Sequence, residues 1–116
     1  MNKLKVVPTV FLIALFTAIS GHASEVRGSF WGYKGAKIPE GSVMDVSCGN
    51  FNKDSPIKSN GSYSIRGLPS SSGCSYRVSY PDGSASKSIS FHSGHGVIQI
   101  NGELRKHKNR ILVVPK

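Results

Sequence analysis

The sequence is poor in everything that builds helices. No stretch of useful length repeats apolar residues at the three- and four-residue spacing of an amphipathic helix. Glycine, serine and asparagine recur every few residues, with 13 glycines among 116 residues. Such residues break helices and supply turns. Acidic side chains are scarce, six against 15 lysines and arginines. Cysteine is nearly absent: Cys48 and Cys74 are the whole set, and two thiolates cannot complete a structural zinc site, which takes four ligands. The one long apolar run, residues 6–19, is too short to cross a bilayer comfortably.

That run follows a basic pair, Lys3 and Lys5, and precedes Gly21 and Ala23, small residues at the two positions a signal peptidase reads. Residues 1–23 are therefore expected to be a signal peptide. Cleavage after Ser20 and an uncleaved anchor are the alternatives. No cysteine follows the run, which speaks against a lipoprotein anchor. The exported chain, residues 24–116, suits one domain with a modest core and no transmembrane span. Without Lys3 and Lys5 it keeps 13 basic and six acidic residues, a net charge of +7. That charge favours anionic partners, or serves only solubility. In a periplasmic or extracellular setting Cys48 and Cys74 are expected to form a disulfide.

Short runs between the turn residues read as strands. They cover residues 26–33, 43–48, 56–59, 62–66, 74–80, 87–92, 97–100 and 111–114. Alternation is plainest at 74–80, where Cys74, Tyr76, Val78 and Tyr80 share a face. Pro56 places the weak third strand at a sheet edge. Asn60-Gly61 is a hairpin signal, because tight turns need positive φ. Tyr63 and Ile65 then face the core, and Gly67-Leu68-Pro69 ends the strand. Asn101-Gly102 is read as another turn. Residues 49–60 and 68–73 are expected as loops, the second exposed and mobile. Seven or eight short strands at this spacing indicate an all-β Greek-key sandwich or small barrel. No linker, repeat or second domain is visible.

Several of these pieces resemble the transthyretin-like domains of the carboxypeptidase regulatory-like type. The glycine-bearing first strand is Val26-Arg27-Gly28. Lys37-Ile38-Pro39-Glu40-Gly41 leads into Val43-Met44-Asp45-Val46. The hallmark segment is Gly61-Ser62-Tyr63-Ser64-Ile65-Arg66-Gly67-Leu68, followed by Tyr76-Arg77-Val78-Ser79-Tyr80-Pro81-Asp82-Gly83. The cysteine pair and the basic segment after Leu104 depart from the pattern. The resemblance implies a seven-stranded Greek-key sandwich acting as an accessory or binding module without chemistry of its own. It transfers no ligand-contacting residue. Some transthyretin-like proteins hydrolyse hydroxyisourate with a C-terminal Tyr-Arg-Gly-Ser motif. This chain ends Ile111-Leu112-Val113-Val114-Pro115-Lys116, which disfavours that activity.

The candidate site residues are cationic. Arg105, Lys106, Lys108 and Arg110 put four permanent positives within six residues, able to hold phosphate or acidic sugars through charge-assisted hydrogen bonds. The competing reading is a solvated loop before the last strand. No aromatic residue interleaves the cluster, so nucleic acid is disfavoured. His92 and His95 lie three apart, with no acidic or thiol ligand nearby and only His107 beside them among the exported histidines. Metal sites need three or four ligands, so no metal or cofactor is expected. Ser72-Gly73-Cys74-Ser75-Tyr76 matches the S-G-x-x-Y element of periplasmic lysozyme inhibitors, without that family's second motif. Phe30, Trp31 and Tyr33 cannot all point inward from one strand.

The expectation is an exported, disulfide-stapled, non-enzymatic binding module. Its partner would be a protein or an anionic envelope polymer such as lipopolysaccharide. An inhibitor of an envelope-attacking enzyme and a hydrolase are the alternatives. Intact mass of the exported protein should show loss of residues 1–23 and of two protons. Full-length protein with two alkylatable thiols would contradict both expectations.

Overall fold

Alternation builds the core of this chain, and the β2 strand shows how. In the computed structural model, which describes residues 24–116, β2 (Val43–Cys48) buries Met44, Val46 and Cys48 and turns Val43, Asp45 and Ser47 outward. β5 (Gly73–Ser79) does the same with Cys74, Tyr76 and Val78. Both inward faces join one cluster that includes Val26, Phe30, Tyr63, Ile65, Leu68 and Leu104. The expected signal peptide lies outside the described residues.

The fold is all-β, as expected. Ten strands are described against the seven or eight counted from sequence. Besides β2 and β5 they are β1 (Ser24–Gly32), β3 (Phe51–Pro56), β4 (Ser62–Leu68), β6 (Ala85–Ser86), β7 (Ile89–His92), β8 (Val97–Gln99), β9 (Gly102–His107) and β10 (Arg110–Pro115). They form one curled sheet in the order β3-β2-β5-β6-β10-β9-β1-β4. In addition β7 pairs with β5 and β8 with β1.

β1 changes partners halfway along. Glu25, Val26 and Arg27 run parallel to β8, and the same half pairs antiparallel with β4. Phe30, Trp31 and Gly32 then run parallel to β9. The changeover falls at Gly28 and Ser29. A side chain at Gly28 would overlap the Ile100 carbonyl, and the Ser29 N–H donates to Asn101 Oδ1 at 2.9 Å. Asn101-Gly102 is thus not a reversal. β8 and β9 follow each other in one direction along β1, and Asn101 fills the jog between them.

Aromatic rings tie the sheet across its core. Phe30 stacks on Tyr63 with centroids 5.3 Å apart and lies 6.4 Å from Tyr76. The Tyr63 hydroxyl donates to the Ile100 carbonyl at 2.7 Å. Burial, with Tyr76 a lesser cause, pushes the Tyr63 phenol far above its ordinary range, so it stays a donor.

Four sequence expectations change. First, the third strand is residues 51–56, not 56–59. The stretch 49–60 is a two-residue turn, a strand at the sheet edge and a second turn, because β2 supplies a full ladder for residues with weak strand character. Pro56 ends that edge strand, where its missing N–H costs nothing. Second, of Asn60-Gly61 only Gly61 takes positive φ, 90°. The turn closes one residue earlier, with the Gly61 N–H on the Lys58 carbonyl at 2.8 Å. Third, β4 does not stop at Arg66. Gly67 (φ 84°) is an extra residue where the β1 register shifts, a bulge that lets Leu68 return to the core with no exposure. Fourth, β9 stands where the sequence marks no strand, between the expected turn at Asn101-Gly102 and the last strand. Leu104 is its only strong apolar residue, so no alternation marks it.

The Cys48–Cys74 disulfide forms, at the position following the last β2–β5 ladder pair, Ser47 and Ser75. Cys48→Ser should lower unfolding free energy by roughly 2–5 kcal/mol, read from denaturant titrations, and the wild-type protein in reductant should lose a similar amount.

Candidate anion-binding groove

The four expected cations separate once β9 and β10 form a hairpin. Lys108 sits in its turn with φ of 60°, uncommon for a residue with a side chain. Arg110 pairs with His107 across the ladder and Leu112 with Arg105. Paired residues share a face, so Arg105, His107, Arg110 and Leu112 lie together on one side. Lys106 faces the other way. Its Nζ meets Asp82 Oδ2 at 2.5 Å.

A groove of about 620 Å³ runs along this hairpin. Its cationic lining is Lys87, Arg105, Lys108 and Arg110, with His107. Ile89, Ile111, Leu112 and Val113 form its apolar part, and no carboxylate lines it. Three of the four expected residues are therefore brought together, and Lys87 replaces Lys106. Nothing local in the sequence marks Lys87. It arrives through the parallel pairing of β6 with Arg110 and Ile111.

The groove exists because the sheet splits. β10 pairs with β6 only at Arg110 and Ile111. After Ser86 the chain leaves the ladder for two residues and rejoins β5 as β7. The Ser86 hydroxyl fixes the departure, accepting the Val78 N–H at 3.0 Å and donating to the Lys87 carbonyl at 2.9 Å.

The cations differ in availability. Arg105 Nε donates to Glu103 Oε1 at 2.8 Å, and its guanidinium lies 4.9 Å from the Tyr33 ring centroid. That bond, with a further hydrogen bond from the Lys34 N–H, holds the Glu103 carboxyl below its usual range. Lys87, Lys108 and Arg110 make no ion pair among the described residues. The aromatic triplet divides: along β1 Phe30 is buried and Trp31 half-buried, as alternation requires, while Tyr33 lies past the end of the strand in a 3-10 turn, 52% exposed.

The other candidates lie elsewhere. Among the described residues no three His, Cys, Asp or Glu side chains gather to hold a metal. His92 ends β7, and His95 lies in the following turn, where its Nε2 is 2.9 Å from the Ser71 hydroxyl. This serine–histidine contact was not singled out from sequence, and Ser71 has a positive φ of 50°. Both side chains are exposed, and neither lines the groove. The loop around residues 68–73 is tied down. Ser93, fully buried, donates to the Pro69 carbonyl at 2.6 Å and accepts the Ser72 N–H at 2.9 Å. In the S-G-x-x-Y element, Cys74 is in the disulfide and Tyr76 in the core. No protein-family model matches the chain, and no curated protein matches it.

Lys106 and Asp82 offer a test of the side facing away from the groove. The Lys106 ammonium, aided by the Ser84 N–H and hydroxyl, holds the Asp82 carboxyl far below its usual range. A depressed folded-state value contributes stability above the unfolded value of about 3.9 and loses it as pH falls below. Asp82→Asn should therefore lower the thermal midpoint at pH 7. The gap to wild type should close below about pH 4 and shrink with salt, since the pair is exposed.

Proposed function

We propose that this protein is a non-enzymatic binding module of the cell envelope, periplasmic or secreted, whose basic groove holds an anionic partner. The observation that carries the reading is the groove lining, with four permanent cations and no carboxylate. In a cleft with apolar walls, charge of one sign raises the local concentration of opposite charge. The guanidinium of Arg110 can bind carboxylate or phosphate with two parallel hydrogen bonds, and Lys87 and Lys108 act as point charges. The disulfide fits a compartment that oxidises thiols, and among the described residues no helix is long and apolar enough to cross a membrane. The reading needs no cofactor.

A transthyretin-like accessory domain would suit this role. The all-β fold and the burial of Tyr63, Ile65 and Leu68 in the hallmark segment support it. The inhibitor reading is weaker, since the tyrosine of its motif is buried in the core.

The test replaces Lys87, Lys108 and Arg110 together, using Lys87→Ser, Lys108→Gly and Arg110→Ser. Glycine accepts the positive φ of the turn. The control removes equal charge at Lys37, Lys53 and Lys58, which are exposed and do not line the groove. Binding to polyphosphate and to lipopolysaccharide is measured across a salt series. The groove variant should bind roughly tenfold more weakly, about 1.4 kcal/mol, and the control far less so. Binding by the parent should fall with salt as screening shortens to about 8 Å at physiological strength. Equal losses in both variants would reduce the effect to net charge.

A further inference from the structure

The groove has a second property that charge does not use: two unpaired strand edges face it. Among the described residues, β10 beyond Ile111 has β9 on one side and no strand on the other, and β7 pairs with β5 alone. In a ladder, alternate residues turn their N–H and C=O groups to opposite sides. Asn109 accepts the Ala85 N–H on this edge at 3.4 Å, so Val113 and Pro115 turn their backbone outward here with no strand among the described residues to take it, while Leu112 and Val114 turn theirs to β9. Leu112 beside this edge is 61% exposed, and Ile89 and Val113 line the gap.

We propose that the groove receives an extended peptide segment of a partner protein, added as a strand along the open edge of β10, apolar at alternate positions and acidic at its flanks. The inference rests on the anion-binding reading above and names the occupant of the same site. An added strand would supply partners for the Val113 N–H and C=O and the Pro115 C=O, the usual source of affinity in strand addition. Its inward residues would cover Ile89 and Val113, and its outward ones would lie beside Leu112. Its carboxylates would meet Lys87, Lys108 and Arg110 at the end where β6 closes the gap. The stretch holds only about four residues, near 13 Å of strand, and Pro115 ends it because proline has no N–H to donate.

The chemistry separates this occupant from its rivals. A second copy of the chain would bring the same carboxylate-free cationic lining against itself. Lysine and proline at a strand edge are devices that oppose such self-pairing. An acidic polysaccharide or polyphosphate would use the charges but leave the apolar wall and both strand edges uncovered.

The experiment uses the oxidised exported chain and a capped nonapeptide with alternating valine and threonine at its centre and two acidic residues at each end. One comparison peptide carries N-methyl groups on its central valines, which removes ladder donors and keeps charge. A second has lysine in place of the acidic residues, and polyphosphate is the third probe. The acidic peptide should bind and slow amide hydrogen exchange at Val113, the one open-edge N–H beyond Ile111 among the described residues. The N-methylated and lysine peptides should each bind roughly tenfold more weakly, and Arg110→Ser should weaken the acidic peptide while leaving the folded exchange pattern elsewhere unchanged. Sedimentation should show a monomer with or without peptide.

Equal binding of the acidic and N-methylated peptides would overturn strand addition and leave the anion-binding reading standing. So would binding of polyphosphate without binding of the peptide. Binding of neither would overturn both. Self-association that protects Val113 would assign the edge to a second copy and overturn the proposal.

Discussion

The fold depends on one constraint, that β1 must serve two different sets of partners within nine residues. Its first half takes β4 and β8, its second half β9. A strand can do this only if its neighbours end and begin at the same level. Here β8 ends at Gln99 and β9 begins at Gly102. Asn101 supplies the missing acceptor at the join, and Gly28 gives the Ile100 carbonyl room to approach. The Tyr63 hydroxyl fixes that same carbonyl residue from the core side. Two hydrogen bonds and one steric clearance around Ile100 thus decide where the sheet turns from one partner set to the other. Everything beyond it, including the β9–β10 hairpin, is placed by that decision.

Local patterning was enough to read the strands that face a core on one side. β2 came out with its observed bounds, and β5 within a residue at each end, because each carries three large apolar residues at a spacing of two. What failed was information held by a partner. β3 has no apolar pattern of its own and is a strand because β2 offers a complete edge. β9 is charged over its second half and is held between β1 and β10. Gly67-Leu68-Pro69 reads as the end of the strand, yet β4 runs on through Gly67, because a glycine that shifts phase and one that ends a strand look alike in one sequence. The disulfide was legible from parity and compartment alone.

The candidate site was legible in composition and not in arrangement. Four cations in six residues announce a basic surface wherever they fall. Their distribution over two faces follows from the hairpin turn at Lys108 and Asn109, and moving that turn by one residue would have exchanged the faces. Lys106 then goes to Asp82, an ordinary exposed pair of the kind that contributes little. Arg105 is held by Glu103 and Tyr33, which orient its guanidinium while its side chain stays 47% exposed. Lys87 enters from a strand of two residues that no periodicity could mark.

The disulfide reaches the groove by an indirect route. Cys74 is the register partner of Phe91 on β7, so the cross-link clamps the strand from which one wall of the groove hangs. The opposite wall, β10, hangs from β9 and through it from β1, which carry no cross-link. One wall is thereby anchored covalently and the other only by packing and hydrogen bonds. When the thiols are reduced, the wall that loses its anchor is the one with four residues and a single neighbour. Oxidation of one pair of sulfurs on β2 and β5 thus braces the strand beside them, β7, and a chain still carrying free thiols presents its cationic hairpin opposite a less secured wall.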